Sequence, residues 1–244
     1  MASQKASDAK FKNPAATVVE LFTSQSCYSC PPAEAYLRTL AERKDVFTIE
    51  YHVDYWDDLI DGSKGKWKDI FSSPKASLRQ ANYNQVLRQT SQVFTPQIII
   101  DGRYQHVGSQ RSKIERTIQI AQEKRPQFDI SLTARILDGA DKVQISTTAP
   151  LVNPEISLLF IRLKKRHITH VRKGENKGKT LASYNIATQW FPLQGWSDQT
   201  KNMVKELRQP LAEDETCALL VYHKKTHAIF QAQFCQKDSP SPAE

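Results

Sequence analysis

The chain has 244 residues, 39% of them hydrophobic and 25% charged, which suits one large or two ordinary globular domains. Thirty-four basic against 26 acidic side chains give a net charge of +8. No apolar run reaches the roughly 20 residues that a membrane-crossing helix needs.

The first sixteen residues, MASQKASDAKFKNPAA, read as a disordered polar lead without the apolar stretch of a signal peptide. Thr17–Phe22 is a strand, and a Ser/Thr/Gln turn then delivers Cys27 and Cys30 just before Pro31 and Pro32. Two cysteines three positions apart at a strand-to-helix junction form a redox-type C-x-x-C. Such a pair can close a small disulfide and reopen it, provided one sulfur becomes thiolate. Half of a zinc site and an inert disulfide are the other readings. Tetrahedral zinc needs a second close Cys/His pair, and the remaining cysteines, Cys217 and Cys235, are far apart.

A helix is expected from Pro32 to Arg43, with Ala33, Tyr36, Leu37, Leu40 and Ala41 on one face. A residue before proline avoids helical geometry. Pro32 is therefore expected at the first helical position, with both sulfurs ahead of the helix and only modest thiolate activation. Asp45–Val53 is a second strand, parallel to the first. An insertion over 54–92 follows, with an acidic-aromatic patch (Asp54, Tyr55, Trp56, Asp57), a Gly/Lys-rich loop at 61–68 and a helix over Lys75–Gln89. The patch either lines a substrate cleft or anchors the insertion.

Pro96 lacks a donor N–H, so it opens the strand Ile98–Ile100 rather than lying inside it, and Asp101-Gly102 turns the chain into a hairpin. A helix to Lys124 closes this unit, with Ile114, Ile118 and Ala121 facing inward. Beyond Pro126, strands are expected over 128–137, 142–149, 156–164, 168–172 and 180–187, then a short helix near 198–207 and a hairpin over 217–234. Repeated short strands suggest an antiparallel β-sandwich over 126–237, followed by a disordered tail at 238–244.

The segments ELFTSQSCYSCPPAE, YHVDYWDDL, VFTPQIIIDG and RKGENKGK resemble the bacterial secreted thioredoxin-like family called domain-of-unknown-function 1223, over about Thr17 to Gln236. The resemblance implies an α/β thioredoxin-like N-terminal domain with a helical insertion, and an exported protein in the periplasm or outside the cell. It implies that Cys27 is the exposed attacking sulfur, Cys30 the resolving one, and Thr95-Pro96 a cis-proline loop. Glu20 sits roughly where thioredoxins carry a buried proton-transferring acid, though one residue farther from the first cysteine. The partner would be a thiol- or disulfide-bearing protein or a small thiol, and no cofactor is expected. A binding module that keeps the scaffold is the alternative. A copper or zinc carrier using Cys27, Cys30 and His52 is a further one, against which His52 reads as a core histidine in an alternating strand.

Between Arg162 and Lys179 lie eight Lys/Arg against Glu175 alone. No nucleic-acid motif accompanies them, so they read as a solvated basic face. Gly174–Thr180 falls one residue short of a P-loop and lacks the strand-then-helix setting. In the last hairpin, a five-residue loop at 224–228 sets Cys217 directly opposite Cys235, whereas a four-residue loop pairs it with Phe234. Opposite residues lie within disulfide reach. The alternatives are a structural disulfide and two buried reduced thiols.

Overall fold

The computed structural model describes residues 16–59, 65–125, 130–137, 139–196 and 199–237. The polar lead up to 15, the tail from 238, and positions 61–64, 128–129 and 198 of the expected elements lie outside them. The described residues form a mixed α/β fold of three helices and two sheets.

Strand β1 (Thr17–Thr23) is followed by α1 (Pro31–Ala41) and β2 (Val46–His52), which runs parallel to β1. Helix α2 (Pro74–Arg88) begins at Ser73, whose hydroxyl accepts from the Lys75 amide, and ends at Gln89 in the left-handed region. Strands β3 (Gln97–Ile100) and β4 (Tyr104–Val107) form the expected hairpin, with β3 antiparallel to β1, and α3 (Arg111–Glu123) follows.

Strands β5 (Leu132–Ile136) and β6 (Lys142–Thr147) belong to a small sheet. The two strands expected over 156–172 are one long strand, β7 (Ile156–His170), paired along its length with β8 (Thr180–Pro192). The helix expected near 198–207 is instead β9 (Asn202–Glu206), an edge strand held by its ladder with β6. Strands β10 (Glu215–His223) and β11 (Ile229–Phe234) are joined by residues 224–228, and β12 (Gln236–Lys237) pairs with β5.

The strands beyond Pro126 do not all form a sandwich of their own. Strands β7, β8, β10 and β11 join β1–β4 in one eight-stranded sheet, ordered β11-β10-β7-β8-β2-β1-β3-β4, through a parallel contact between β2 and β8 at Glu50 and Ile186. Only β12-β5-β6-β9 form the second sheet. It packs on the distal half of the large one, burying Ala134, Ile145, Phe160, Leu219 and Cys217 between them.

Alternation along the strands sorts the side chains of β1 and β2 onto two faces. Val19 and Leu21 meet Ala33, Leu37, Ile114 and Ile118 of α1 and α3. Val18, Phe22, Ile49 and Tyr51 face a second core with Tyr83 of α2 and Trp190. Around that core the large sheet curls until its two ends touch. The Ile229 amide of β11 donates to the Asp101 carbonyl in the β3–β4 turn at 2.8 Å, and inside the curl Phe47 of β2 stacks on Phe234 of β11 with ring centres 4.0 Å apart. Gly102 (φ +63°) is required at this closure, since a Cβ there would lie 2.1 Å from the His227 carbonyl oxygen.

Candidate functional site

The turn between β1 and α1 holds a disulfide between Cys27 and Cys30, with Cα atoms 5.4 Å apart. Backbone bonds from Cys27 N to Ser24 O (3.0 Å) and from Cys30 N to Cys27 O (3.2 Å) wind the turn. Cys30 is the N-cap of α1 and already has helical dihedrals, and Pro31 is the first helical residue. The helix thus starts one residue earlier than the proline argument allows. Two amides, Ala33 N (2.9 Å) and Glu34 N (3.1 Å), donate to the Cys30 carbonyl and hold that conformation. Cys30 therefore continues the first turn of α1 instead of preceding it.

The Thr95–Pro96 peptide bond is cis, and Pro96 lies at the same end of the sheet as the cysteine turn, because Phe22 pairs with Gln97. Gly108 packs between Pro96 and α1. A Cβ there would lie 2.8 Å from the Ala33 Cβ and 3.0 Å from the Pro96 Cβ, so only glycine allows this approach. Thr95 Oγ1 accepts a hydrogen bond from the Trp56 indole at 2.7 Å.

The acidic-aromatic patch is spent on internal contacts. Asp54 binds Ser77 near the start of α2, and Tyr55 donates to Gln80. Asp57 accepts from the Asp69 amide and the Ser72 hydroxyl. These residues anchor the insertion, and Trp56 ties it to the Thr95-Pro96 loop.

Glu20 lies on the α2 face of β1, away from α1. Arg79 donates to its Oε1 from Nε (2.9 Å) and Nη2 (2.7 Å), and the Tyr83 hydroxyl donates to its Oε2 at 2.5 Å. Both Glu20 oxygens are thus occupied by donors from α2.

The carboxyl on the side of the cysteines is Glu34, at position i+4 from Cys30 on the same helix face. It is 4% exposed and accepts from Thr23 Oγ1 at 2.6 Å. Burial first, then the nearby Glu50 carboxylate, pushes its pKa up to about 8 against the lowering effect of the Thr23 bond. Glu50 and His52 alternate on β2 toward the same side. His52 Nε2 contacts Glu50 Oε1 at 2.8 Å and Nδ1 contacts Asp69 Oδ2 at 2.6 Å. Burial alone favours neutral imidazole, but Asp69 and Glu50 outweigh it and hold the His52 pKa well above its ordinary value. Burial also works against the Asp69 carboxylate, yet His52 and the donors to it hold its pKa low. Asp69 in turn accepts from the Gln25 amide at 2.8 Å, which links this buried chain of charges to the cysteine turn. With both ring nitrogens engaged and the two sulfurs bonded to each other, His52, Cys27 and Cys30 are not arranged as metal ligands.

Cys27 is not the exposed sulfur the sequence suggests: both Cys27 and Cys30 are 0% exposed, while Tyr28 between them is 65% exposed. The shield is the loop joining β7 and β8. Buried Asn176 donates through Nδ2 to the carbonyls of Gln25 and Cys27, each at 2.9 Å. Glu175 Oε2 accepts from the Tyr28 amide at 2.7 Å. Lys179 Nζ donates to Asn176 Oδ1 at 2.8 Å and lies 4.2 Å from the centre of the Tyr28 ring. Gly174, at φ +74°, passes Trp67 so closely that a Cβ would sit 3.1 Å from the Trp67 Cβ. Trp67 itself donates to Gln25 Oε1 and accepts from Ser26 Oγ. The sequence places Gly174–Lys179 in a glycine-rich loop and misses this docking, which spans about 150 positions.

Cys217 and Cys235 form a second disulfide, with Cα atoms 5.1 Å apart, buried between the two sheets. Ala218 pairs with Phe234 and Val221 with Gln231, a register that continues to Cys217 opposite Cys235. The Cys235 amide donates to the Cys217 carbonyl at 2.7 Å. A bulge between Val221 and Tyr222 takes up the shift near the turn.

Among solved structures, the chain is similar to a crystallised protein of Agrobacterium tumefaciens, with a TM-score of 0.70 and 23% identity over 94% of this chain and 98% of that one. It is also similar to HBP35 of Porphyromonas gingivalis, with a TM-score of 0.60 and 15% identity over 95% of this chain and 79% of that one. At these identities the likeness is one of fold. Among curated proteins nothing matches the chain. Residues 18–223 match the family described as Protein of unknown function (DUF1223), and that span covers most of the sequence. The chain belongs to the DUF1223 family.

Proposed function

We propose that this protein is a thiol-disulfide oxidoreductase on a thioredoxin-like scaffold, exchanging disulfides with a protein or small thiol through Cys27 and Cys30. The observation that carries the reading is the Cys27–Cys30 disulfide in the turn from a parallel strand into a helix, at the sheet end that also holds the Thr95-Pro96 loop. A thiolate of the partner attacks Cys27 Sγ, the Cys27–Cys30 bond breaks, and Cys30 leaves as a thiolate. Cys30 then takes the proton held on Glu34. A second partner thiolate resolves the mixed disulfide and leaves as part of a new partner disulfide, with two electrons passed to the cysteine pair. The reverse sequence reduces a partner disulfide. Two disulfides support an oxidising compartment, periplasmic or secreted.

The sealing of Cys27 beneath the β7–β8 loop favours a second reading, a binding module whose disulfide only fixes the turn. The reduction potential of the Cys27/Cys30 pair in a glutathione buffer separates the two. Exchange proteins span about −120 to −270 mV, and structural disulfides lie below about −300 mV. In the same experiment, Cys30→Ser should trap mixed disulfides on Cys27. A potential below about −300 mV with no trapping would leave the binding module.

A further inference from the structure

The basic run from Arg162 to Lys179 divides into two halves with different surroundings. In the first half, Arg162 pairs with Glu215, Lys164 with Asp214, and Lys165 Nζ donates to the Glu213 carbonyl. Glu215 and Asp214 thus neutralise Arg162 and Lys164, while Arg166 lies over the Tyr184 ring. In the second half, Arg172, Lys173 and Lys177 are exposed and have no carboxylate partner among the described residues. The only carboxylate of this loop, Glu175, is turned inward onto the Tyr28 amide. The uncompensated charge therefore sits on the loop that covers the cysteine turn.

Tyr28, 65% exposed, is held against this loop, its amide donating to Glu175 and the Lys179 ammonium lying over its ring. An exposed aromatic beside unpaired basic side chains is the composition of a docking face, with tyrosine as anchor.

We propose that the outer face of the β7–β8 loop, with Arg172, Lys173 and Lys177, together with Tyr28 docked on that loop, binds an acidic peptide segment of the protein that exchanges disulfides with this one. The inference rests on the exchange reading for its choice of occupant, since whatever sits over the Cys27–Cys30 turn must carry the reacting thiol or disulfide. It adds the substrate class: cysteines flanked by Asp and Glu. Complementary charge raises the rate of encounter and weakens with salt.

The test uses the full oxidised protein and a fluorescent acidic peptide with serine in place of cysteine, read by anisotropy. Binding should weaken as salt rises, and a basic peptide of matched length should not bind. The variant R172E/K173E/K177E changes only exposed side chains outside the clamp and should keep the wild-type unfolding midpoint. It should bind the acidic peptide at least tenfold more weakly and gain affinity for the basic one. With cysteine restored, exchange with the acidic peptide should slow at least tenfold in the variant, while exchange with 2-mercaptoethanol stays unchanged.

Equal binding of the acidic peptide by wild type and variant overturns the proposal. So does preference for anionic vesicles or an oligonucleotide over the acidic peptide. Charge-selective peptide binding without exchange toward any thiol would support the docking face and remove the oxidoreductase reading.

Discussion

Replacing Asn176 with alanine tests whether the β7–β8 loop is what closes the cysteine turn. The substitution removes two hydrogen bonds, to the Gln25 and Cys27 carbonyls, and the acceptor for Lys179. A buried hydrogen bond contributes about 1 kcal/mol net, and a buried group left unsatisfied costs about 1–3 kcal/mol. The loss should total about 2–4 kcal/mol. Because the loop is anchored to the turn by side chains and not by a strand ladder, most of that loss should fall on local opening rather than on the sheets. At about 1.4 kcal/mol per tenfold, a loss of 2 kcal/mol raises the open population about 30-fold. Reduction of Cys27–Cys30 by dithiothreitol should then speed up by about that factor. The assay quenches with an alkylating agent and reads the modified peptides by mass. Cys217–Cys235, buried between the sheets, serves as the internal control, and Lys177→Ala as the control variant. A folded Asn176→Ala protein whose Cys27–Cys30 bond is reduced at the wild-type rate would show that the loop does not close the turn.

Three further outcomes are expected. The folded state holds a proton on Glu34 between pH 4.5, its ordinary value, and about 8, where the unfolded chain releases it, so this group makes stability fall as pH rises through that window, by at most about 1.4 kcal/mol per pH unit. Urea unfolding of Glu34→Gln across pH 5 to 8 should show a shallower decline than wild type, and parallel curves would exclude a buried protonated carboxyl. Arg79→Met leaves Glu20 buried without its cation and should cost about 3–5 kcal/mol, with Glu20→Gln recovering part of the loss. Additive effects in that double-mutant cycle would mean the pair is not coupled. The disulfide Cys217–Cys235 spans 18 positions, so Cys217→Ala/Cys235→Ala should lose about 3 kcal/mol in the chain-entropy account. An unchanged denaturation midpoint would show that the reduced hairpin is equally restrained.

Local chemistry made the framework of the site readable. A C-x-x-C after an apolar run and a proline opening an isoleucine strand each carry their own geometric demand, and each is contained in a stretch of about fifteen residues. The hairpin of the second disulfide was legible for the same reason, but its register was not: Tyr222 faces Ile229, and the bulge after Val221 is what brings Cys217 opposite Cys235. The four-member chain Glu34, Glu50, His52 and Asp69 was only half legible. Alternation puts Glu50 and His52 on one face of β2, but nothing local brings Asp69 to His52 or assigns that face to α1. Glu20 shows the same limit, since its alternation with Val18 and Phe22 is plain and the helix that covers their face is not. The segment around 202–206 alternates weakly, and its pairing with β6 decided strand over helix.

Local pattern sets the units: a strand–turn–helix with paired cysteines, a proline-led hairpin, an inserted helix and a set of later strands. Those follow from dihedral restriction, turn residues and periodicity, which act over a few positions. Long-range packing places β8 beside β2, closes the large sheet at Gly102 and bonds Asn176 to the Cys27 carbonyl. Each of these joins residues more than a hundred positions apart, where the gain comes from burying shared faces and satisfying buried polar groups, and no local pattern encodes which distant group will supply the partner.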